Sequence, residues 1–244
     1  MKTITQAMLF AAGLGTRLAP ITNDRPKALA EVNGQPLIFH VLKKLENEGI
    51  ERVVVNTHHF AERLENWIRE QKFNMEIIIS HEDELLDTGG GLAKAAEHFT
   101  DGDILLYNVD VLSNIDIQKM YSFHQESNSL VTLAVRKRET TRYFLFNKKQ
   151  KLIGWKNTKT KVTIFTSDST KNYNELAFSG IHILKHEFLK LLGQPEKFSL
   201  TPFYLELAKT YTLSAYQHDD DYWFDCGKIE TLEKAGKYLK EINH

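Results

Sequence analysis

The feature that most limits how this chain can fold is an alternation running through its first half. Short apolar runs recur, and each is followed by a stretch with helical spacing. Ala7-Met8-Leu9-Phe10 and residues 50–56, 75–80 and 103–107 read as strands. Residues 36–49, 61–71, 92–98 and 115–126 read as helices, the first opening on Pro36 and closing on Gly49. Strand and helix by turns is the pattern of a mostly parallel sheet with helices on both faces. The run 103–107 is suited to a buried central strand. After Ser129 the pattern changes. Residues 130–135 and 177–184 read as strands, 143–146 and 152–155 as hairpin partners, and 156–161 as a stretch rich in Lys and Thr. Residues 201–209 read as a helix, 211–216 as a strand and 229–241 as a closing helix. No linker rich in Pro, Gly or Ser separates the halves, and no internal repeat is present. The expectation is one α/β domain over 1–244 with two lobes, 1–128 and 129–244.

The first apolar run leads into Ala11-Ala12-Gly13-Leu14-Gly15-Thr16-Arg17-Leu18-Ala19-Pro20, closed by Arg25-Pro26-Lys27. Glycines at 13 and 15 leave backbone N–H groups unobstructed, so the loop can curl round an anion. Arg17 offers a bidentate fork for phosphate oxygens and Lys27 a point charge. Neither of the commoner nucleotide motifs fits. Leu18 stands where a dinucleotide fingerprint needs its third glycine, and the next strand ends in Asn56 where an acidic residue would hold a ribose. Gly15-Thr16-Arg17 lacks the Gly-Lys-Ser/Thr of a P-loop. On the glycines alone, a plain tight turn is the better reading.

Net charge −1 gives no global field to attract nucleic acid or an anionic membrane, so an anionic substrate must be held by local cations. The N-terminal residues are polar, and no stretch approaches the roughly 20 apolar residues of a membrane span. A single cysteine, Cys226, excludes an intrachain disulfide and a thiolate zinc cluster. Cytoplasmic location is the expectation, with no nucleic-acid or membrane partner.

Asp110, in Tyr107-Asn108-Val109-Asp110-Val111, falls at the carboxyl end of the central apolar strand, where open α/β folds bind ligands. A helix cap is the plainer alternative. Asp225 lies in Tyr222-Trp223-Phe224-Asp225-Cys226-Gly227. Asp219, Asp220 and Asp221, just before it, read as a solvated turn. Leu85-Leu86-Asp87-Thr88-Gly89-Gly90-Gly91 places three glycines at a loop–helix junction, open either to close approach by a flat ligand or to plain flexibility.

The string Gly-Leu-Gly-Thr-Arg-Leu-Ala-Pro, then Arg-Pro-Lys, then Val32-Asn33-Gly34-Gln35-Pro36-Leu37, resembles the sugar-1-phosphate nucleotidyltransferase family. The likeness implies its fold, a Rossmann-like, mixed, mostly parallel sheet flanked by helices, with no C-terminal β-helix here. It implies a nucleotide half over 1–128 and a sugar half over 129–244. Ala11, Ala12, Gly13, Gly15 and Thr16 would wrap the triphosphate, with Arg17 and Lys27 on its phosphates. Asp110 and Asp225 would be the ligands of Mg²⁺, although Val109 stands where the family usually has Gly. Asp87, Thr88, Gly89 and Gly90 would face the base, joined by Asn56 and His58 of Asn56-Thr57-His58-His59. Glu175, Ser179 and Gly180, in Asn174-Glu175-Leu176-Ala177-Phe178-Ser179-Gly180-Ile181, resemble the family's sugar-contacting segment. Arg142, Lys156 and Lys159 are candidates for the sugar phosphate.

The implied reaction is Mg²⁺-dependent transfer of a nucleotidyl group from a nucleoside triphosphate to a sugar 1-phosphate, catalysed by Arg17, Lys27, Asp110 and Asp225. Lys197-Phe198-Ser199-Leu200-Thr201-Pro202 and the last helix resemble the short muramic-acid 1-phosphate uridylyltransferases of cell-wall recycling. UTP with N-acetylmuramic acid 1-phosphate is therefore the first expectation, and GTP with mannose- or heptose-1-phosphate the second. A non-catalytic sensor of nucleotide sugars is the alternative of another class. The chain would act as a monomer or homodimer.

Overall fold

The computed structural model describes residues 3–166 and 172–242. The alternating first half forms as expected. Strand β1 (Gln6–Phe10) is followed by a small hairpin, β2 (Glu31–Val32) and β3 (Gln35–Pro36), and by helix α1 (Leu37–Asn47). Then come β4 (Arg52–Thr57), α2 (Ala61–Glu70), β5 (Glu76–His81), α3 (Asp87–Ala95) and β6 (Ile104–Asn108). A short β7 (Val111–Ser113) precedes α4 (Ile117–Ser127), which Asp116 caps by accepting from Lys119 N. The second half holds β8 (Val131–Arg136), β9 (Arg142–Phe146), β10 (Leu152–Asn157), β11 (Val162–Phe165) and the long β12 (Asn174–Leu184). It closes with α5 (Leu200–Leu207), β13 (Leu213–Gln217), β14 (Trp223–Asp225) and α6 (Ile229–Ile242).

Side chains alternate across the central strands, as a period of two demands. Ala7, Leu9, Val53, Val55, Leu105 and Tyr107 pack on one face with α1, α2, α4 and α6. Met8, Phe10, Val54, Ile104 and Leu106 pack on the other with α3 and α5. Both faces are thus covered, which is why these strands read as continuous apolar runs.

The sheet order is β11-β10-β9-β12-β6-β1-β4-β5, with β8 between β12 and β13. Strands β6, β1, β4 and β5 are mutually parallel. The chain steps outward from β1 to β4 to β5, then returns to place β6 on the other side of β1. That reversal opens a crevice beyond the carboxyl ends of β1 and β6, the usual ligand position in such sheets. Strand β12 runs antiparallel to β6 and makes the sheet mixed.

Three differences from the sequence reading matter for the site. Helix α3 begins at Asp87, so the glycine triplet lies inside the helix and not at its junction with a loop. The Lys- and Thr-rich stretch leads into an unforeseen edge strand, β11, paired with β10. Strands β7 and β14 form a separate two-stranded ladder in which Asp225 pairs with Val111. That ladder is the device that brings the second aspartate to the first.

Candidate active site

The loop after β1 is built to present N–H groups. Ala11 N donates to Asn56 Oδ1 at 2.7 Å, fixing where the strand ends. The Gly15 carbonyl accepts from Leu18 N and from Thr22 Oγ1, both at 2.9 Å. Gly15 has φ 67°, and a Cβ there would lie 2.9 Å from Lys27 Cβ. From Ala12 to Arg17, among the described residues, no backbone N–H donates to a protein acceptor. A row of free N–H groups in a glycine-bearing turn is an anion cradle. Gly13 faces the same space, a Cβ there falling 3.7 Å from Lys27 Nζ.

Three of the four residues expected to carry the chemistry meet around Gly227, and the fourth, Lys27, joins them through Asp110. Lys27 Nζ donates to Asp110 Oδ2 at 2.8 Å, with side-chain exposures of 16% and 9%. A Cβ on Gly227 would lie 2.7 Å from Arg17 Nη2, 2.8 Å from Asp225 Oδ1 and 3.2 Å from Asp110 Oδ2. Glycine is required there because these charged groups occupy the space. Cys226 N donates to Asp110 O at 2.7 Å, and Gly227 N to Asp225 Oδ1 at 3.0 Å, so the backbone itself locks both aspartates. Burial beside both carboxylates pushes the Cys226 thiol up to about 12, which removes it as a nucleophile. Two cations beside the free loop N–H groups at a sheet's carboxyl edge can hold and align phosphate groups, and two adjacent carboxylates can hold a hard cation there.

On the base side the sequence expectations need correcting. The Asn56 amide is buried, its oxygen on Ala11 N and its nitrogen donating to Glu82 Oε1 at 2.7 Å. It positions the loop, with both ends of its buried amide engaged within the protein. Gly89 N and Gly90 N donate to Phe198 O, so these amides are spent within the protein. The triplet's missing side chains make room for protein: a Cβ on Gly89 would lie 2.1 Å from the Phe198 ring, on Gly90 2.0 Å from Glu196 O, and on Gly91 2.6 Å from Glu82 Oε1. Thr88 Oγ1 accepts from Leu200 N, and Asp87 stands exposed at φ 60°. His58 Nδ1 donates to Glu82 O at 2.9 Å, which leaves its Nε2 toward the open side. Sequence reading missed Glu82 and Phe198. Glu82 is 1% exposed and joins β1, β4 and α3 through Asn56 and through Leu86 N. The only signal was an acid within His81-Glu82-Asp83-Glu84, which reads as a surface run.

On the sugar side the outcome is also mixed. The Ser179 hydroxyl is buried against His218 Nε2 at 2.7 Å, so it is structural. Gly180 has φ 77° and sits at an irregularity in the β12–β8 ladder, where a Cβ would meet Asn108 Nδ2 at 2.9 Å. Its lack of a side chain lets β12 pass close to Asn108 and Val111 at the ends of β6 and β7. Lys156 Nζ pairs with Glu175 Oε1 at 2.7 Å, Arg142 is exposed at the start of β9, and Lys159 is exposed in the turn between β10 and β11. The Asp219–Asp221 turn is solvated as expected, exposed at Asp219 and Asp220 and half-buried at Asp221, and hydrogen bonds tie it to the end of β8. Asp219 Oδ1 accepts from Lys137 N, and Arg136 donates to the Asp219 and Asp221 carbonyls.

Comparison with known proteins places this geometry. The family model described as nucleotidyl transferase matches residues 6–241. N-acetylmuramate alpha-1-phosphate uridylyltransferase of Caulobacter vibrioides is 44% identical over 108 residues, 43% of this chain and 45% of that protein. The chain thus matches about half the length of that relative. D-glycero-alpha-D-manno-heptose 1-phosphate guanylyltransferase of Aneurinibacillus thermoaerophilus is 26% identical over 239 residues, 96% of this chain and 98% of that protein. Among solved structures, HddC from Yersinia pseudotuberculosis complexed with GMP-PN superposes with a TM-score of 0.79 at 19% identity, covering 97% of this chain and 100% of that one.

Proposed function

The chain belongs to the nucleotidyl transferase family, and from that premise we propose that it transfers a nucleotidyl group from a nucleoside triphosphate to a sugar 1-phosphate. The observation that carries this reading is the convergence of Arg17, Asp110 and Asp225 on Gly227, with Lys27 paired to Asp110, beside the free N–H groups of residues 12–17. A phosphate oxygen of the sugar 1-phosphate attacks the α-phosphorus in line. The new O–P bond forms as the bond to the β-phosphate bridging oxygen breaks, and pyrophosphate leaves with that electron pair. The nucleophile is already ionised, so no general base is needed. The loop amides and Arg17 hold the departing pyrophosphate, and Lys27 meets the transferring phosphate. Asp110 Oδ2 and Asp225 Oδ1 are hard oxygen donors that share one small space with no side chain between them. Among the described residues no group of three or more His, Cys, Asp or Glu gathers as a metal site. A pair of carboxylates suits Mg²⁺, which takes one or two from protein and keeps water and phosphate for the rest. Bound there, Mg²⁺ would supply charge neutralisation of the phosphoryl oxygens.

For substrates, UTP with N-acetylmuramic acid 1-phosphate is the first choice, supported by the 44% identical segment shared with the uridylyltransferase. This would place the protein in cytoplasmic cell-wall recycling. GTP with a heptose or mannose 1-phosphate is the second, supported by a match to the guanylyltransferase spanning 96% of the chain. A sensor that only bound nucleotide sugars would have no use for paired carboxylates opposite an anion cradle. The test is pyrophosphate release with Mg²⁺ across UTP, GTP, CTP, ATP and dTTP. Each is paired with muramic acid-, N-acetylglucosamine-, mannose- and heptose-1-phosphates. Strong release with UTP and N-acetylmuramic acid 1-phosphate is expected. No release from any pair, with nucleotide-sugar binding intact, would favour the sensor.

A further inference from the structure

Strand β8 runs antiparallel to β12, and β12 antiparallel to β6, so β8 and β6 point the same way. The chain beyond Arg136 therefore leaves the sheet at the edge that carries Asp110. Arg138 lies there on the sugar side. Its guanidinium stacks 4.5 Å over the Trp223 ring, and Nη2 donates to Phe178 O at 3.1 Å. Trp223 is two residues from Asp225, and its Nε1 donates to Ser179 O at 2.9 Å, which fixes the platform. Two donors of Arg138 are used on carbonyls, but its Nε is buried with no acceptor among the described residues. No carboxylate of the described residues forms an ion pair with it. Burial pulls its pKa down and the charge of Asp225 opposes that, so the guanidinium lies within reach of the site's field.

A half-buried guanidinium without a counter-charge is costly unless a partner arrives. The neighbouring cations are already engaged: Lys27 with Asp110, Lys156 with Glu175, and Arg136 with the carbonyls of Asp219 and Asp221. Arg142 is exposed at the start of β9. Arg136 also lies over Trp223, 5.9 Å from the ring centroid, but Arg138 stacks closer at 4.5 Å and combines that platform with a buried Nε that has no acceptor among the described residues.

We propose that Arg138 binds an anionic group of the sugar substrate, either its 1-phosphate or a carboxylate on the sugar itself. This rests on the sugar 1-phosphate reading above and adds a residue to it. The test begins with wild-type enzyme and its active pair from the pyrophosphate matrix. Failure at that step is failure of the proposed reaction and not of Arg138. In Arg138→Met the KM for the sugar 1-phosphate should rise about 10- to 100-fold, the loss expected for a charge-assisted hydrogen bond. The KM for the nucleotide should stay within about twofold. Arg138→Lys should recover part of the loss. A readout apart from turnover is Trp223, whose fluorescence in wild type should change when sugar 1-phosphate is added without nucleotide, at concentrations that no longer suffice in Arg138→Met. Competition by N-acetylglucosamine 1-phosphate against N-acetylmuramic acid 1-phosphate separates the two anions. Equal weakening assigns the phosphate, and weakening of the muramic compound alone assigns its carboxylate. If Arg138→Met unfolds at lower temperature but keeps the wild-type sugar KM, Arg138 only braces Trp223 and the proposal fails. Trp223→Phe, which keeps a stacking face, provides the check that a loosened platform alone does not mimic the sugar-specific loss.

Discussion

Asp110 performs two tasks, one structural and one chemical, and they can be separated. Its Oδ2 holds Lys27 Nζ at 2.8 Å, and its carbonyl accepts from Cys226 N. Asp225 has no such cation partner among the described residues; its Oδ1 accepts from its own turn at Gly227 N. Asp110→Asn should thus cost about 1–3 kcal/mol of stability, because Lys27 is left partly buried without its charge partner. Asp225→Asn should cost under about 1 kcal/mol. Both should lower kcat by roughly 100-fold or more, since each removes one of the two carboxylates proposed to hold Mg²⁺ at the reacting phosphates. Chemical denaturation beside steady-state kinetics reads both effects, and near-wild-type turnover in either variant would remove that aspartate from the reaction. That Asp110 and Asp225 come together follows from the β7–β14 ladder, while Arg17, Lys27, Asp110 and Asp225 were each legible in sequence through the short motifs of the family that the chain resembles. Glu82, Arg138 and Phe198 were not. Each acts through contacts with residues distant in the chain, and nothing in their local sequence distinguishes a buried acid, a stacked guanidinium or a wedged ring from surface and core of the ordinary kind.

At the scale of elements, α3 shows how a correct motif can be given the wrong partner. Three glycines do mark a close approach, but what approaches is the segment just before α5. Phe198 lies over Gly89, Glu196 O over Gly90, and the Glu82 carboxylate against Gly91. This strap also receives the first helical amides, so it fixes where α3 begins. Sequence reading placed the helix start at 92 because glycine is a poor helix former, and tertiary packing overrode that preference. Gly89→Ala should therefore destabilise the protein by about 1–3 kcal/mol through overpacking against the Phe198 ring. Replacing the ring with a smaller group, in Gly89→Ala with Phe198→Leu, should recover part of that loss. A double-mutant cycle on thermal unfolding gives the coupling. Additive effects would mean that the ring and the glycine do not touch in solution. The strand–helix alternation, by contrast, was readable throughout the first half, because both faces of β1, β4 and β6 are buried. Strand β11 escaped notice although Val162, Thr163, Ile164 and Phe165 are strand formers, because the run is only four residues long, lies at a sheet edge and directly follows the Lys- and Thr-rich stretch.

For the molecule as a whole, buried histidines set how the fold responds to acid. Burial pulls the pKa of His182 down to about 3 and of His124 down to about 4, from 6.5 in an exposed residue. His182 Nδ1 lies 2.6 Å from the Tyr204 hydroxyl, and His124 Nδ1 2.7 Å from Thr132 Oγ1, so both are held neutral inside the two packed layers. His218 is lowered by burial and by Arg136, with Asp221 opposing. Below pH 6.5 the unfolded chain takes up protons that these residues refuse in the folded state. The unfolded state then binds more protons, so stability falls as pH falls. The slope approaches about 1.4 kcal/mol per pH unit for each such histidine once pH is well below 6.5. The carboxylates held low by partners, Asp24, Glu46, Glu65 and Asp219, contribute a loss of the same sign only at more acidic pH. Asp103, raised by burial, acts in the opposite sense in the acid range. Between pH 6.5 and 5 the histidines therefore dominate. Urea midpoints measured from pH 7.5 to 5 should be level above 6.5 and fall progressively below it. His124→Gln, which keeps a hydrogen-bonding group near Thr132 but cannot titrate, should flatten that fall by the share of one histidine. A wild-type midpoint that held steady down to pH 5 would mean these rings accept protons in place, through water reaching the layers that this packing excludes.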